Sequence, residues 1–198
     1  VDSSGAMPNP QQQTSYLARA GAVIALSALR ARARVQVTLW SGKRDVMHTS
    51  GFVRNEEKIL RVLTGFFGGS TCFPIHRLRE TYGARPEHAR PVHVLMISDD
   101  GITTMFDDDE LGNSGWDVAA HALAAARGGG TMALNLSRDW ETWPGHEVAD
   151  LLRRARKTQG WRIHAIERME DLLAFAQAFS GEHYGVAAAG AASVIVRP

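Results

Sequence analysis

Asp2, Ser4, Thr71 and Asp99 are the side chains whose types and order could do chemistry in this chain. They are two carboxylates and two hydroxyls, carried by three separate segments. The opening run Val1-Asp2-Ser3-Ser4-Gly5-Ala6-Met7 places a hydroxyl two residues after an acid. Gly68-Gly69-Ser70-Thr71 offers another hydroxyl in a glycine loop, and Val92-His93-Val94-Leu95-Met96-Ile97-Ser98 runs straight into Asp99-Asp100-Gly101. An all-oxygen set of this kind suits Mg²⁺, Mn²⁺ or Ca²⁺, whereas zinc and copper favour nitrogen and sulfur ligands.

The elements that must position these residues alternate in type along the chain. Apolar residues recur at helical spacing over 16–32, behind Thr14 or Ser15 as a cap. Val35-Gln36-Val37-Thr38-Leu39-Trp40 alternates as a strand, with a short hairpin partner over 46–49. Helices are predicted over 56–67 and 74–82, the first capped by Asn55 and the second started by Pro74. The continuous apolar run at 92–97 predicts a strand covered on both faces. Further helices follow over 115–127, 146–157 and 169–179, with strands over 131–136 and 161–166 between them. Strands and helices in alternation imply an α/β fold: a doubly wound, mostly parallel sheet with helices on both faces. In such sheets ligands bind beyond the carboxyl ends of the strands.

Val1-Asp2 reads as the last two residues of a buried strand, so the first strand of the sheet is expected upstream of this sequence. The domain is expected to span 1–184. Residues 185–198 read as a low-complexity tail or linker, with a β-branched run at Ser193-Val194-Ile195-Val196.

Composition excludes several classes. With 22 basic and 21 acidic residues the net charge is +1, which gives no bulk attraction to nucleic acid. Arginines cluster at 30–34 and 153–157, at predicted helix ends where cations complement the dipole. The single cysteine, Cys72, excludes an internal disulfide and favours a cytoplasmic setting. No apolar run approaches the roughly 20 residues that cross a bilayer. There is no Walker A run, no Gly-x-Gly-x-x-Gly after a strand and no His-Glu-x-x-His. Cys72 has no identifiable base, so a packed thiol is favoured over a nucleophile. Trp140 and Trp143 flank Pro144 in a loop and could form an exposed interaction patch. The acidic run Asp107-Asp108-Asp109-Glu110 lacks the alternation of a calcium loop and reads as a solvated overhang of the site.

Taken together, Asp2 and Ser4, Thr71 and Asp99, in this order on this pattern, resemble the von Willebrand factor type A (VWA) family with its metal-ion-dependent adhesion site (MIDAS). The family pattern opens Asp-x-Ser-x-Ser after the first strand, adds a Thr from a later loop and an Asp after the fourth strand. Ala6 stands where that pattern has its second serine, so one hydroxyl ligand is absent and a water would take its place. Asp100 stands where the family often has Gly. The resemblance implies an ion, Mg²⁺ or alternatively Mn²⁺ or Ca²⁺, touched by Ser4 and Thr71. Asp2 and Asp99 would orient its waters. A Glu or Asp of a partner protein would complete the coordination, in a noncatalytic adaptor module. It also implies bacterial relatives that work beside MoxR-type AAA+ ATPases. Two other readings stay open: a Mg²⁺-dependent phosphoester hydrolase using Asp2 and Asp99, and a metal-free scaffold. Asp2 and Ser4 also suit a helix cap, and Thr71 a cap ahead of Pro74.

Overall fold

A computed structural model describes residues 1–185 of the chain. The segments over 186–198, including the β-branched run at 193–196, lie outside the described residues. The elements in chain order are α1 (Tyr16–Arg30), β1 (Thr38–Trp40), β2 (Val46–His48), α2 (Glu56–Leu63), α3 (Ile75–Tyr82) and β3 (Val92–Ser98). They continue as α4 (Gly115–Ala126), β4 (Arg127–Leu134), α5 (Glu147–Gln159), β5 (Arg162–Ala165) and α6 (Asp171–Ser180).

β3, β4 and β5 form a parallel sheet in that order, and β1 pairs β2 antiparallel. Period-2 alternation splits the central strands cleanly between two layers. Val94 and Met96 of β3, with Met132 and Leu134 of β4, face Leu78 of α3, Leu123 of α4 and Leu152 of α5. Ile97 and Ala133 point the other way, onto Leu17 and Ile24 of α1 and Leu172 and Phe179 of α6. α2 packs Ile59, Val62 and Leu63 beside α1 and under Val37 and Leu39. The chain is therefore a mixed α/β structure with helices on both faces of a small parallel sheet.

The single mostly parallel sheet expected from the sequence is divided into two. Val1 and Asp2 span the division, since Trp40 N donates to Val1 O (3.1 Å) and Asp2 N to Ile97 O (2.9 Å). The pairing of Asp2 with Trp40 is parallel but isolated. Below it a cavity of about 1090 Å³ separates Gln36–Thr38 from Val92–Met96, so no ladder continues across.

Three local expectations change. α2 ends at Leu63, four residues early, because the Thr64 hydroxyl turns back to Leu60 O (2.9 Å) and Gly65 follows. Trp140 is a core residue at 2% exposure and Trp143 packs against the same cluster, so they form no exposed patch. The acidic run is not wholly solvated either. The Asp109 side chain is buried, ion-paired with Arg79, and accepts from Leu111 N (2.9 Å) and Asn113 N (2.9 Å). One carboxylate thus pins the loop while Asp107, Asp108 and Glu110 stay exposed. Arg79→Ala is expected to cost roughly 1–2 kcal/mol in urea unfolding. That is less than an orphaned buried charge usually costs, because Asp109 keeps its N–H donors.

Candidate metal centre

Asp2 reaches its position because its strand-like backbone is held on both sides, leaving the carboxylate at the carboxyl end of β3. Its Oδ1 accepts from Ser4 N (2.8 Å), a short Asx turn, and its Oδ2 accepts from Ser98 Oγ (2.6 Å). All of these groups are buried: Asp2 is 2%, Ser4 1% and Ser98 2% exposed. Ser4 Oγ lies in this enclosure without a hydrogen-bond partner. A buried hydroxyl left unpaired is costly, and a missing ligand is one of its standard explanations.

The glycine loop is bound to the same edge by backbone bonds. Gly5 N donates to Gly69 O (2.7 Å), Gly68 N to Ser3 O (2.9 Å), and Phe67 N to Ser3 Oγ (2.9 Å). Ser41, at the end of β1, closes the arrangement. Its hydroxyl accepts from Gly69 N (2.9 Å) and donates to Ser70 O (3.1 Å), while its carbonyl accepts from Cys72 N (2.8 Å). Phe73 N then donates to Thr104 Oγ1 (2.9 Å), which ties Thr71–Phe73 to the turn after Asp99.

Asp99 caps the 3₁₀ turn Asp100–Phe106 by accepting from Gly101 N (2.9 Å). A Cβ built on Gly101 would stand 2.8 Å from Thr71 Cβ and 2.9 Å from Asp99 Oδ1, so those two side chains flank one point. Burial pushes the Asp99 carboxyl above the usual carboxylate range, and the nearby Asp2 and Asp100 charges push the same way. The geometry therefore brings Thr71 beside Asp99, Asp99 within the field of Asp2, and Ser4 against Asp2. Asp100 is exposed at the outer side of this group.

The sequence reading missed Ser98 and Ser41, which position Asp2 and the glycine loop. Both stand at the carboxyl ends of strands legible in the sequence, and that placement is the available signal. The opposite expectation held for Cys72, whose half-buried thiol is raised in pKa, first by burial. That keeps it protonated and poorly nucleophilic.

Because the folded state holds the Asp99 proton more tightly than an unfolded chain, this group favours folding at acid pH and costs stability once ionised. Asp99→Asn keeps an acceptor for Gly101 N and removes the unfavourable charge. In metal-free buffer at neutral pH it should melt no lower than the parent in calorimetry. A clearly lower melting temperature would mean that the Asp99 charge is itself structural.

The donor set fits a hard cation better than a soft one: carboxylates of Asp2 and Asp99, and hydroxyls of Ser4 and Thr71. Among the described residues, no three His, Cys, Asp or Glu side chains gather as a metal cluster. Any ion here would depend on neutral hydroxyls and water as well as charge.

The features above define a mixed α/β protein with a hydroxyl–carboxylate cluster at one sheet edge. No protein-family model matches the chain, and no curated protein matches it. Among solved structures, one similar chain is an aerotolerance-related membrane protein from Bacteroides fragilis NCTC 9343, a form with multiple mutations to serines. The two share 10% identity over 91% of this chain and 96% of that one, with a TM-score of 0.49. Within this chain, no helix of the described residues is long and apolar enough to cross a membrane.

Proposed function

We propose that this chain is a VWA-like interaction module that holds a divalent cation, Mg²⁺ by preference or Mn²⁺ or Ca²⁺, at the edge of its sheet and offers it to a carboxylate of a partner protein. The observation that carries the reading is Ser4 Oγ, buried and unpaired beside Asp2, and it is supported by Thr71 and Asp99 flanking Gly101 after the neighbouring strand. Ser4 and Thr71 would supply neutral oxygens to the ion, and Asp2 and Asp99 would supply negative charge and orient its waters. A bound ion would supply a fixed positive charge for a partner's carboxylate. Ser98 and Ser41 position the chain's own donors, and Gly101 leaves space between Thr71 and Asp99.

In this reading the sheet is doubly wound, with Val1–Ser3 running between β1 and β3. The hydrogen bonds of Val1, Asp2 and Ser3 to both neighbours support it. An intracellular adaptor role beside a MoxR-type AAA+ ATPase belongs to the same proposal, and rests on the family resemblance alone. The hydrolase alternative gains nothing from the site, where no lysine, histidine or thiolate is hydrogen-bonded to Asp2 or Asp99 among the described residues.

Calorimetric titration with Mn²⁺ tests the reading. The parent should bind one ion, and Ala6→Ser should bind it about tenfold more tightly by restoring a hydroxyl, on the order of 1.4 kcal/mol. No binding by the parent or by Ala6→Ser would overturn it.

A further inference from the structure

The turn between β1 and β2 is fastened to the very loop that carries Thr71. Ser41 N donates to Asp45 O (3.0 Å), Asp45 N to Gly42 O (3.0 Å), and Gly42 N to Asp45 Oδ2 (3.2 Å), which makes the turn compact. Ser41 then grips Gly69, Ser70 and Cys72 as described above. A Cβ on Gly69 would meet Ser41 Oγ at 3.0 Å and Asp45 Oδ2 at 3.2 Å, so the two segments lie in direct contact. At the tip of this turn stand Lys43 and Arg44, both exposed, and neither forms an ion pair or side-chain hydrogen bond among the described residues.

The other segment packed on the Thr71 loop carries the opposite sign. Asp100 opens the 3₁₀ turn and Asp107 ends it, with Asp108 next, and all three are exposed. Thr71 lies between the two, its side chain against Gly101 and its loop held to Ser41 through Gly69, Ser70 and Cys72. The rim around Thr71 is thus polarised: the β1–β2 turn exposes Lys43 and Arg44 at its tip, with Asp45 turned back onto Gly42, and the segment beyond Asp99 exposes acids.

We propose that Lys43 and Arg44 are specificity-determining residues that draw an acidic protein segment to the site, orienting its carboxylates toward the β1–β2 turn and away from Asp100 and Asp107. This rests on the cation-binding reading and adds the polarity of the partner to it. Two unpaired cations beside a cluster of like-charged carboxylates have no internal partner to neutralise, so an incoming acid gains their attraction without first breaking an ion pair. The anionic side repels the same acid, which fixes the direction of approach as well as the affinity.

The test uses a fluorescently labelled tri-glutamate peptide, read by anisotropy on the Mn²⁺-loaded protein at low ionic strength. Mn²⁺ affinity is measured separately by calorimetry for every variant. Lys43→Glu with Arg44→Glu should weaken the peptide about five- to tenfold, the range for reversing two exposed charges, while Mn²⁺ binds as before. Lys157→Glu at the end of α5, remote from the strands' carboxyl ends, changes the net charge without this effect. Equal peptide binding by the turn and α5 variants, or no peptide binding by a metal-loaded parent, would overturn the inference. Failure of Mn²⁺ itself to bind would instead overturn the cation-binding reading on which it rests.

Discussion

Asp2→Ala should lose both stability and cation binding, whereas Asp2→Asn should keep most of the first and lose the second. The difference follows from what the two carboxylate oxygens hold. Oδ1 takes the Ser4 amide and Oδ2 takes the Ser98 hydroxyl, and all three residues are buried. Alanine leaves both donors without an acceptor, at about 1–3 kcal/mol each, so unfolding in urea should show a loss of roughly 3 kcal/mol. Asparagine retains an oxygen for the Ser4 amide, and the Ser98 hydroxyl can turn to accept from the new amide. Its unfolding free energy should stay within about 1 kcal/mol of the parent. The charge is gone in both variants, so Mn²⁺ affinity should fall more than tenfold in each. Full affinity in Asp2→Asn would show that Asp2 is only a structural acceptor.

Gly101→Ala is the second large effect, and it acts on Thr71 and Asp99 together. The added Cβ would stand 2.6 Å from Thr71 Cγ2, 2.8 Å from Thr71 Cβ and 2.9 Å from Asp99 Oδ1. A rotamer change can remove the methyl contact but not the contact with Thr71 Cβ, so the backbone of one loop must move. Crowding of this sort costs about 1–3 kcal/mol. It also separates the two donors that a cation needs at once, so Mn²⁺ affinity should fall at least tenfold. The double variant Thr71→Gly with Gly101→Ala should recover stability but not binding, because the space returns and the hydroxyl does not. Recovery of both would remove Thr71 from the site.

The legible part of this fold was its alternation. The run at 92–97 reads as buried on both faces, and its residues do divide between the two helix layers. Cap chemistry was equally readable, as Ser15 and Asn55 accept from Ala18 N and Lys58 N in the expected way. The early end of α2 was not, because Phe66 continues its apolar period and only the Thr64 back-bond and Gly65 oppose it. Trp140 departs from its expected exposure because a tryptophan in a Pro-flanked loop looks exposed until Arg156 of α5 covers it. Asp109 is indistinguishable within a run of four acids because its partner, Arg79, is thirty residues away. For the site, residue type and order single out three loops, and the structure puts Ser4 beside Asp2 and Thr71 beside Asp99. Ser41 and Ser98 carry only a placement signal, the carboxyl end of a strand, because their roles depend on backbone amides and a carboxylate brought from far along the chain.

The most direct measurement is anomalous diffraction from crystals grown with Mn²⁺. The predicted result is a single peak at about 2.0–2.6 Å from Ser4 Oγ and Thr71 Oγ1, with the carboxylates of Asp2 and Asp99 turned toward its waters. Density without manganese at that edge, or a Thr71 hydroxyl directed away from Ser4 in the metal-bound crystal, would contradict the account.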